Sequence, residues 1–257
     1  MMNNPSESLN RVLSQHQNQT AQSSSIQTHQ QRPDRHLPPP LSKWSTPAVE
    51  DSAWCAQNFT LGVGMVLIQN VTHKVVLVSR RGSQRFFFPR GRKDRGETLE
   101  VAALREAYEE SGYKAELLPH FGFTSAPLSP HSSKAGPSCE AVYLTIVGWG
   151  PVRGQTEGEY LVHWYLGWIP EHAVPEQGTG MPDEMDYESQ LFTIEEALQR
   201  MHGQELLVLK YAWAIYCETM GMCQEIEERR DSLANEANQD VDLSGVNPAR
   251  AESGSKQ

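Results

Sequence analysis

The chain has 257 residues, 38% of them hydrophobic, and a formal net charge of −10. That is enough apolar material for one sizeable core, while an acidic balance of this size argues against broad affinity for nucleic acid, which needs a basic face to displace counterions, and leaves room only for a local basic patch. The longest apolar run, Tyr211 to Cys217, is far too short to cross a bilayer, and the N-terminus lacks the apolar stretch of a signal peptide.

Residues 1–58 carry runs of Gln, Ser, Asn, His and Pro with few apolar side chains. Such a stretch does not bury enough surface to offset the entropy of ordering, so it reads as a disordered tail. From residue 237 the chain is again polar and rich in Gly and Ser, which makes 237–257 a second tail and 59–236 the folded domain. Cys55, Cys139, Cys217 and Cys223 form no CxxC pair, so neither a zinc site nor a disulfide framework is expected. A reducing compartment, cytoplasm and/or nucleus, fits this usage.

Within the body, residues 61–69 and 73–80 are rich in Val, Ile and Leu and flank the polar break Asn70 to Thr72, which predicts a β-hairpin. Pro89 and Gly91 then interrupt the pattern. Residues 98–111 have the Ala, Leu and Glu content of a helix, with Thr98 as N-cap, Gly112 as stop, and Val101, Leu104 and Tyr108 as its apolar face. Strands are expected within 113–124, 140–150 and 159–169, the last two long and central, with a Pro/Ser/Gly loop at 126–139. Helical segments at 194–201 and 205–220 close the domain, the second buried against the sheet. Strands in one mixed sheet with helices on both sides make an α/β/α sandwich. Gly62 and Gly64, a GxG within a strand, read as sites of close packing, and His163, Trp164 and Trp168 read as core first and base-stacking groups second.

Glu106, Glu109 and Glu110 stand at i, i+3 and i+4 on the predicted helix and share one face. Like-charged neighbours at this spacing repel by about 0.2–0.5 kcal/mol per pair, so a cation is the expected compensation. Oxygen ligands and the absence of His from the helix suit Mg²⁺ or Mn²⁺ better than zinc.

Gly91, Glu97, Arg105, Glu106, Ala107, Glu109, Glu110, Gly112 and Tyr113 match, position for position, the pattern G-x5-E-x7-R-E-U-x-E-E-x-G-U. The segment resembles the signature of the Nudix hydrolases, and a chance match is on the order of one sequence in a million. Ala107 and Tyr113 stand where larger aliphatic residues are commoner in that family. The resemblance implies a Nudix-type α/β/α sandwich and metal-dependent pyrophosphohydrolase activity with Mg²⁺ or Mn²⁺ as cofactor. It implies that Glu106 and Glu110 are direct metal ligands, Glu109 a ligand or metal-water contact, and the Gly91 carbonyl a further ligand. It also implies that Arg105 and Glu97 pair to fix the helix against the preceding loop. In that family the general base is a glutamate of this segment or one on a later loop; here Glu157 and Glu159 are candidates for an extra base or ligand, or are simply turn acids.

Between Arg80 and Arg95 lie seven cations, Arg80, Arg81, Arg85, Arg90, Arg92, Lys93 and Arg95, against the single acid Asp94. Beside an acidic site in an acidic chain, this cluster reads as a funnel for a phosphate-rich small molecule, with Arg80, Arg90, Arg92, Lys93 and Arg95 as binding candidates. His131 and Lys134, on the Ser/Pro loop, are weaker candidates. The stretch FFFPRGRKDRGE resembles the loop of Nudix enzymes acting on diphosphoinositol polyphosphates and diadenosine polyphosphates. mRNA decapping and nucleotide sanitation are the alternatives, RNA being disfavoured by the acidic C-terminal segment. A non-catalytic Nudix-like binding module, with the N-terminal tail as its interaction element, is the alternative of another class, and the complete carboxylate set argues against it.

Overall fold

Residues Phe59–Gln69 (β1) carry apolar side chains on both faces and no charge, the composition of a strand covered on both sides. In the computed structural model β1 lies at the centre of one mixed sheet. The structure describes residues 42–46, 51–128, 130, 136–150 and 158–244, with side chains through 232; Glu157, His131 and Lys134 lie outside the described residues. The chain divides into two units at Ala48/Val49. In the first, residues 42–46 make a turn closed by the Ser45 N–H donating to the Ser42 carbonyl at 3.0 Å.

In the second unit, β1 is followed by Val75–Arg80 (β2), Phe86–Phe87 (β3), Arg90–Arg92 (β4) and the helix Leu99–Ser111 (α1). Then come Glu116–Leu117 (β5), Tyr143–Trp149 (β6), Gly158–Ile169 (β7), Tyr187–Phe192 (β8), Ile194–Arg200 (α2) and Gly203–Ser244 (α3). Strands β1 and β7 run parallel in unbroken register from Phe59↔Glu159 to Gln69↔Ile169. β1 and β2 form the expected hairpin, but they pair only at Ile68↔Val75 before β2 turns away to β3 and β8. β4 fills the place beside β1 that β2 vacates, pairing Gly62↔Arg92, Val63↔Gly91 and Gly64↔Arg90.

Alternation along the strands divides the core in two. Val63, Met65, Leu67, Val76 and Tyr165 face α1, where they meet Ala102, Ala103 and Ala107. Val66, Ile68, Leu77, Trp164 and Leu166 face the other side, where Ala197, Val208, Leu209, Ala212 and Ile215 of α2 and α3 cover them. The layers are those of an α/β/α sandwich.

The two glycines of β1 are packing sites. A Cβ on Gly62 would fall 2.1 Å from the Tyr160 ring, and one on Gly64 would fall 2.4 Å from the Trp164 ring. Trp164 is buried core, while Trp168 is partly exposed.

Several expectations need correction. Of the face expected for α1, Leu104 packs half-buried against the core, but Val101 is 54% exposed, and the buried face is made by small residues, Ala102, Ala103 and Ala107, which let the helix approach the sheet. β6 is an edge strand, bonded to β7 alone among the described strands, and Leu144 and Val147 are exposed. The strand expected within 113–124 shrinks to two residues, because Pro119 has no N–H to continue a ladder. β8 was not expected, and α3 continues past residue 236 to Ser244, exposed over 224–232.

Candidate active site

Helix α1 begins where Thr98 accepts the Val101 N–H and ends where Gly112 adopts φ 74°, its N–H donating to the Tyr108 carbonyl. Those ends fix the phase of the helix and point Glu106 and Glu110 toward β4. Both carboxylates are nearly buried. The Glu110 carboxylate accepts the Arg90 N–H at 2.8 Å. The Glu106 carboxylate lies directly over Gly91, where an added Cβ would stand 1.9 Å from its Oε2. Gly91 is thus required by close approach, not by a left-handed backbone.

Arg105 ties this face to the loop before it. Its guanidinium grips Glu97 in bidentate fashion at 2.9 and 3.0 Å, and its remaining N–H groups reach Glu106 at 2.8 Å, Glu109 at 2.9 Å and the Arg92 carbonyl at 3.0 Å. The guanidinium holds Glu97 below the usual carboxylate range. The pairing with Glu109 also offsets the repulsion that the i, i+3, i+4 spacing creates.

Glu110 is in the opposite condition. Burial pushes its carboxyl up to about 8, with the Arg90 N–H acting against the shift and Glu184 and Glu106 adding to it. Burial likewise raises Glu106, against the pull of Arg105. Two neighbouring buried carboxylates with no full counter-charge are unstable as anions, and a hard cation relieves that condition. No three acidic, His or Cys side chains among the described residues converge closely enough to hold a metal alone. Arg105 occupies the gap between Glu106 and Glu109. The donor set suits an ion such as Mg²⁺, which takes one or two carboxylates and completes its shell with water and phosphate oxygens.

Glu106 opens on a cleft of about 1020 Å³ whose walls include Arg90, Gly91, Arg92, Arg105, Glu109, Tyr160, Trp149 and Glu184, while Glu110 lines a smaller pocket that shares Glu109 and Glu184 with it. The basic cluster does not converge on it as one funnel. Arg90 and Arg92 line the cleft, but the Arg90 guanidinium is paired with Glu205 of α3. Arg80 lies over the Tyr187 ring at the end of β2, Arg81 pairs with Glu188 at 2.7 Å, and Lys93 donates to the Asp94 carbonyl at 2.8 Å. Arg80, Lys93 and Arg95 are not among the lining residues. Glu159 is also absent, because alternation along β7 turns its neighbour Tyr160 to the cleft and leaves Glu159 beside Gly148 of the edge strand.

Two acids that the sequence did not single out belong to this region. Glu184 enters from the loop before β8, its carboxylate accepting the Met181 N–H at 2.9 Å. That loop is fastened to α1 by the Thr179 hydroxyl, which donates to the Glu109 carbonyl at 3.0 Å. Glu205 reaches across from α3 and accepts the Phe88 N–H at 2.7 Å. No spacing motif marks either residue; both arrive by tertiary packing.

An α/β/α sandwich that presents buried carboxylates from one helix beside a glycine strand and arginines defines a phosphate-processing class of site. The NUDIX domain model matches residues 58–209, more than half of the chain, and the chain belongs to the Nudix family, whose enzymes hydrolyse phosphorus-containing anhydrides with divalent metal ions. A Bacillus subtilis (strain 168) protein named "Putative 8-oxo-dGTP diphosphatase" is 39% identical over 62 residues, 24% of this chain. The match spans 42% of that relative's length. Among solved structures, a NUDIX hydrolase from Nitrosomonas europaea aligns at 19% identity and TM-score 0.37, covering 60% of this chain and 88% of its own. A C. elegans Ap4A hydrolase in a binary complex aligns at 14% identity and TM-score 0.39, covering 62% and 98%. No helix among the described residues is long and apolar enough to cross a membrane.

Proposed function

We infer that this chain hydrolyses a diphosphate linkage in a phosphate-rich small molecule by water attack, with a divalent cation held by Glu106, Glu110 and the Gly91 carbonyl and supported by Glu109. The observation that carries this reading is the buried pair Glu106 and Glu110, the first packed on Gly91 in a cleft that also presents Arg92 and the second accepting the Arg90 N–H. The cation, Mg²⁺ or Mn²⁺, supplies activation of a bound water and neutralisation of charge on the leaving phosphate. Arg105, fixed by Glu97, holds the orientation of Glu106 and Glu109. Arg92 draws the substrate's phosphates to the mouth of the site. Glu184 stands on the cleft wall with Glu109 as a candidate base to accept the proton of the attacking water.

Dinucleoside polyphosphates and diphosphoinositol polyphosphates are the leading substrate classes, supported by the basic loop before α1. The aromatic wall of Trp149 and Tyr160 favours the nucleoside-bearing class, since a base stacks on such rings. The Bacillus relative supports a second reading, an oxidised nucleoside triphosphate. The test is phosphate release from a panel of these substrates and capped RNA with Mg²⁺ or Mn²⁺, in parallel with Glu110→Gln. Turnover that Glu110→Gln abolishes while the fold is kept supports the reading. No turnover of any substrate with metal bound, or full activity in the variant, overturns it.

A further inference from the structure

The segment from Phe88 to Gly91 is held from both layers of the sandwich. From α3, the Glu205 carboxylate accepts the Phe88 N–H at 2.7 Å through Oε2 and pairs with the Arg90 guanidinium through Oε1. From α1, the Glu110 carboxylate accepts the N–H of the same Arg90 at 2.8 Å. The sheet holds the middle, where the Met65 N–H donates to the Pro89 carbonyl at 3.0 Å. Glu205 is well enclosed, its side chain 14% exposed against 39% for Arg90.

We propose that Glu205 is a positioning residue: it holds the β4 segment, and draws the Arg90 guanidinium away from the carboxylates of α1, so that Glu106 and Glu110 are left for a cation. The inference rests on the cation-dependent reading above. Without Glu205, the Phe88 N–H of a buried residue loses its acceptor. Arg90 also becomes an unpaired cation on the wall of an acidic cleft, within electrostatic range of Glu110. A guanidinium is an always-charged, forked donor that binds carboxylates at two points. Released, it swings to the carboxylates of α1 and competes with the metal ion for them. Glu205 therefore acts through Arg90 and the backbone, with no contact to the reacting atoms.

The test is Mn²⁺ titration of the full chain, followed by the electron paramagnetic resonance of the free ion, with thermal unfolding as a check on the fold. Glu205→Leu is expected to weaken Mn²⁺ binding by about tenfold or more, the range for groups that orient metal ligands. Glu205→Gln keeps an acceptor for the Phe88 N–H and is expected to weaken it less. Arg90→Met added to Glu205→Leu is expected to recover most of the loss, because the competing charge is gone; a purely structural role for Glu205 gives no such recovery. If Glu205→Leu does not fold, Glu205→Gln decides, and wild-type affinity in that variant overturns the proposal. So does a folded Glu205→Leu with wild-type affinity, or a double variant no better than the single one. A wild-type chain that binds no Mn²⁺ overturns instead the cation reading on which the proposal rests.

Discussion

Replacing Gly91 with Ala separates the stability of this domain from its chemistry. The new Cβ would lie 1.9 Å from Glu106 Oε2, 2.1 Å from Cδ and 2.4 Å from Oε1. All three atoms are at the free end of a flexible side chain, so Glu106 moves and the backbone stays. Gly91 has no positive φ, so alanine adds no backbone strain. Ordinary contact begins near 3.4 Å, so the carboxylate retreats by about 1.5 Å, and a misplacement of that order at a reacting centre costs about a hundredfold in rate. The cost to stability is at the low end for overpacking, about 1 kcal/mol. Thermal unfolding and metal-dependent phosphate release, measured on one preparation, give both numbers. A folded Gly91→Ala protein with wild-type kcat would falsify the assignment of Glu106 to the cation.

The remaining expectations concern charge and packing. In the absence of divalent cation, Glu110, raised from 4.5 to about 8, binds its proton more tightly in the folded chain than in the unfolded one. The stability this confers is complete below pH 4.5 and is lost as pH rises through about 8. Burial raises Glu106 and Glu205 in the same sense. Melting temperature without metal should therefore fall across that window, less steeply in Glu110→Gln, and Mg²⁺ should restore it at the alkaline end; an unchanged slope in the variant removes Glu110 as the cause. Arg92→Ala is expected to raise KM most for substrates with the most phosphates, while Arg80→Ala, which changes a side chain stacked on Tyr187, leaves KM unchanged. Equal effects of the two would restore the picture of one continuous basic funnel. Gly64→Ala places a Cβ 2.4 Å from the buried Trp164 ring and is expected to destabilise by about 1–3 kcal/mol in chemical denaturation; a neutral result would mean that the ring has room to move.

Helix α1 was legible to the residue because its ends are local chemistry: a threonine hydroxyl satisfies one end, and a glycine in the left-handed region closes the other. Its buried face was misread, since a helix that lies close to a sheet buries small side chains and leaves Val101 outside. Glu205 was not legible because its role depends on α3 crossing the sheet to meet β4, a relation with no sequence period. Glu184 is similar, one acid among several in an irregular loop. β8, YESQLF, offers too weak an apolar alternation to stand out. The basic cluster looked like one site because its members are adjacent in sequence. The end of β2 carries Arg80 and Arg81 to Tyr187 and Glu188, whereas β4 carries Arg90 to Glu205.

The parallel pairing of β1 with β7 joins residues one hundred positions apart at every rung, from Phe59↔Glu159 to Gln69↔Ile169. During synthesis β1 leaves the ribosome long before its partner exists, and α1, a local structure, can form in the interval. The edge of β1 that β7 occupies must therefore wait unpaired, since β4 and the hairpin pair along its other edge. Closing so long a loop is entropically costly before the ladder repays it, which makes this step the natural bottleneck of folding. The acidic segment that becomes α1 is therefore synthesised before Tyr160, which walls the cleft beside it, exists.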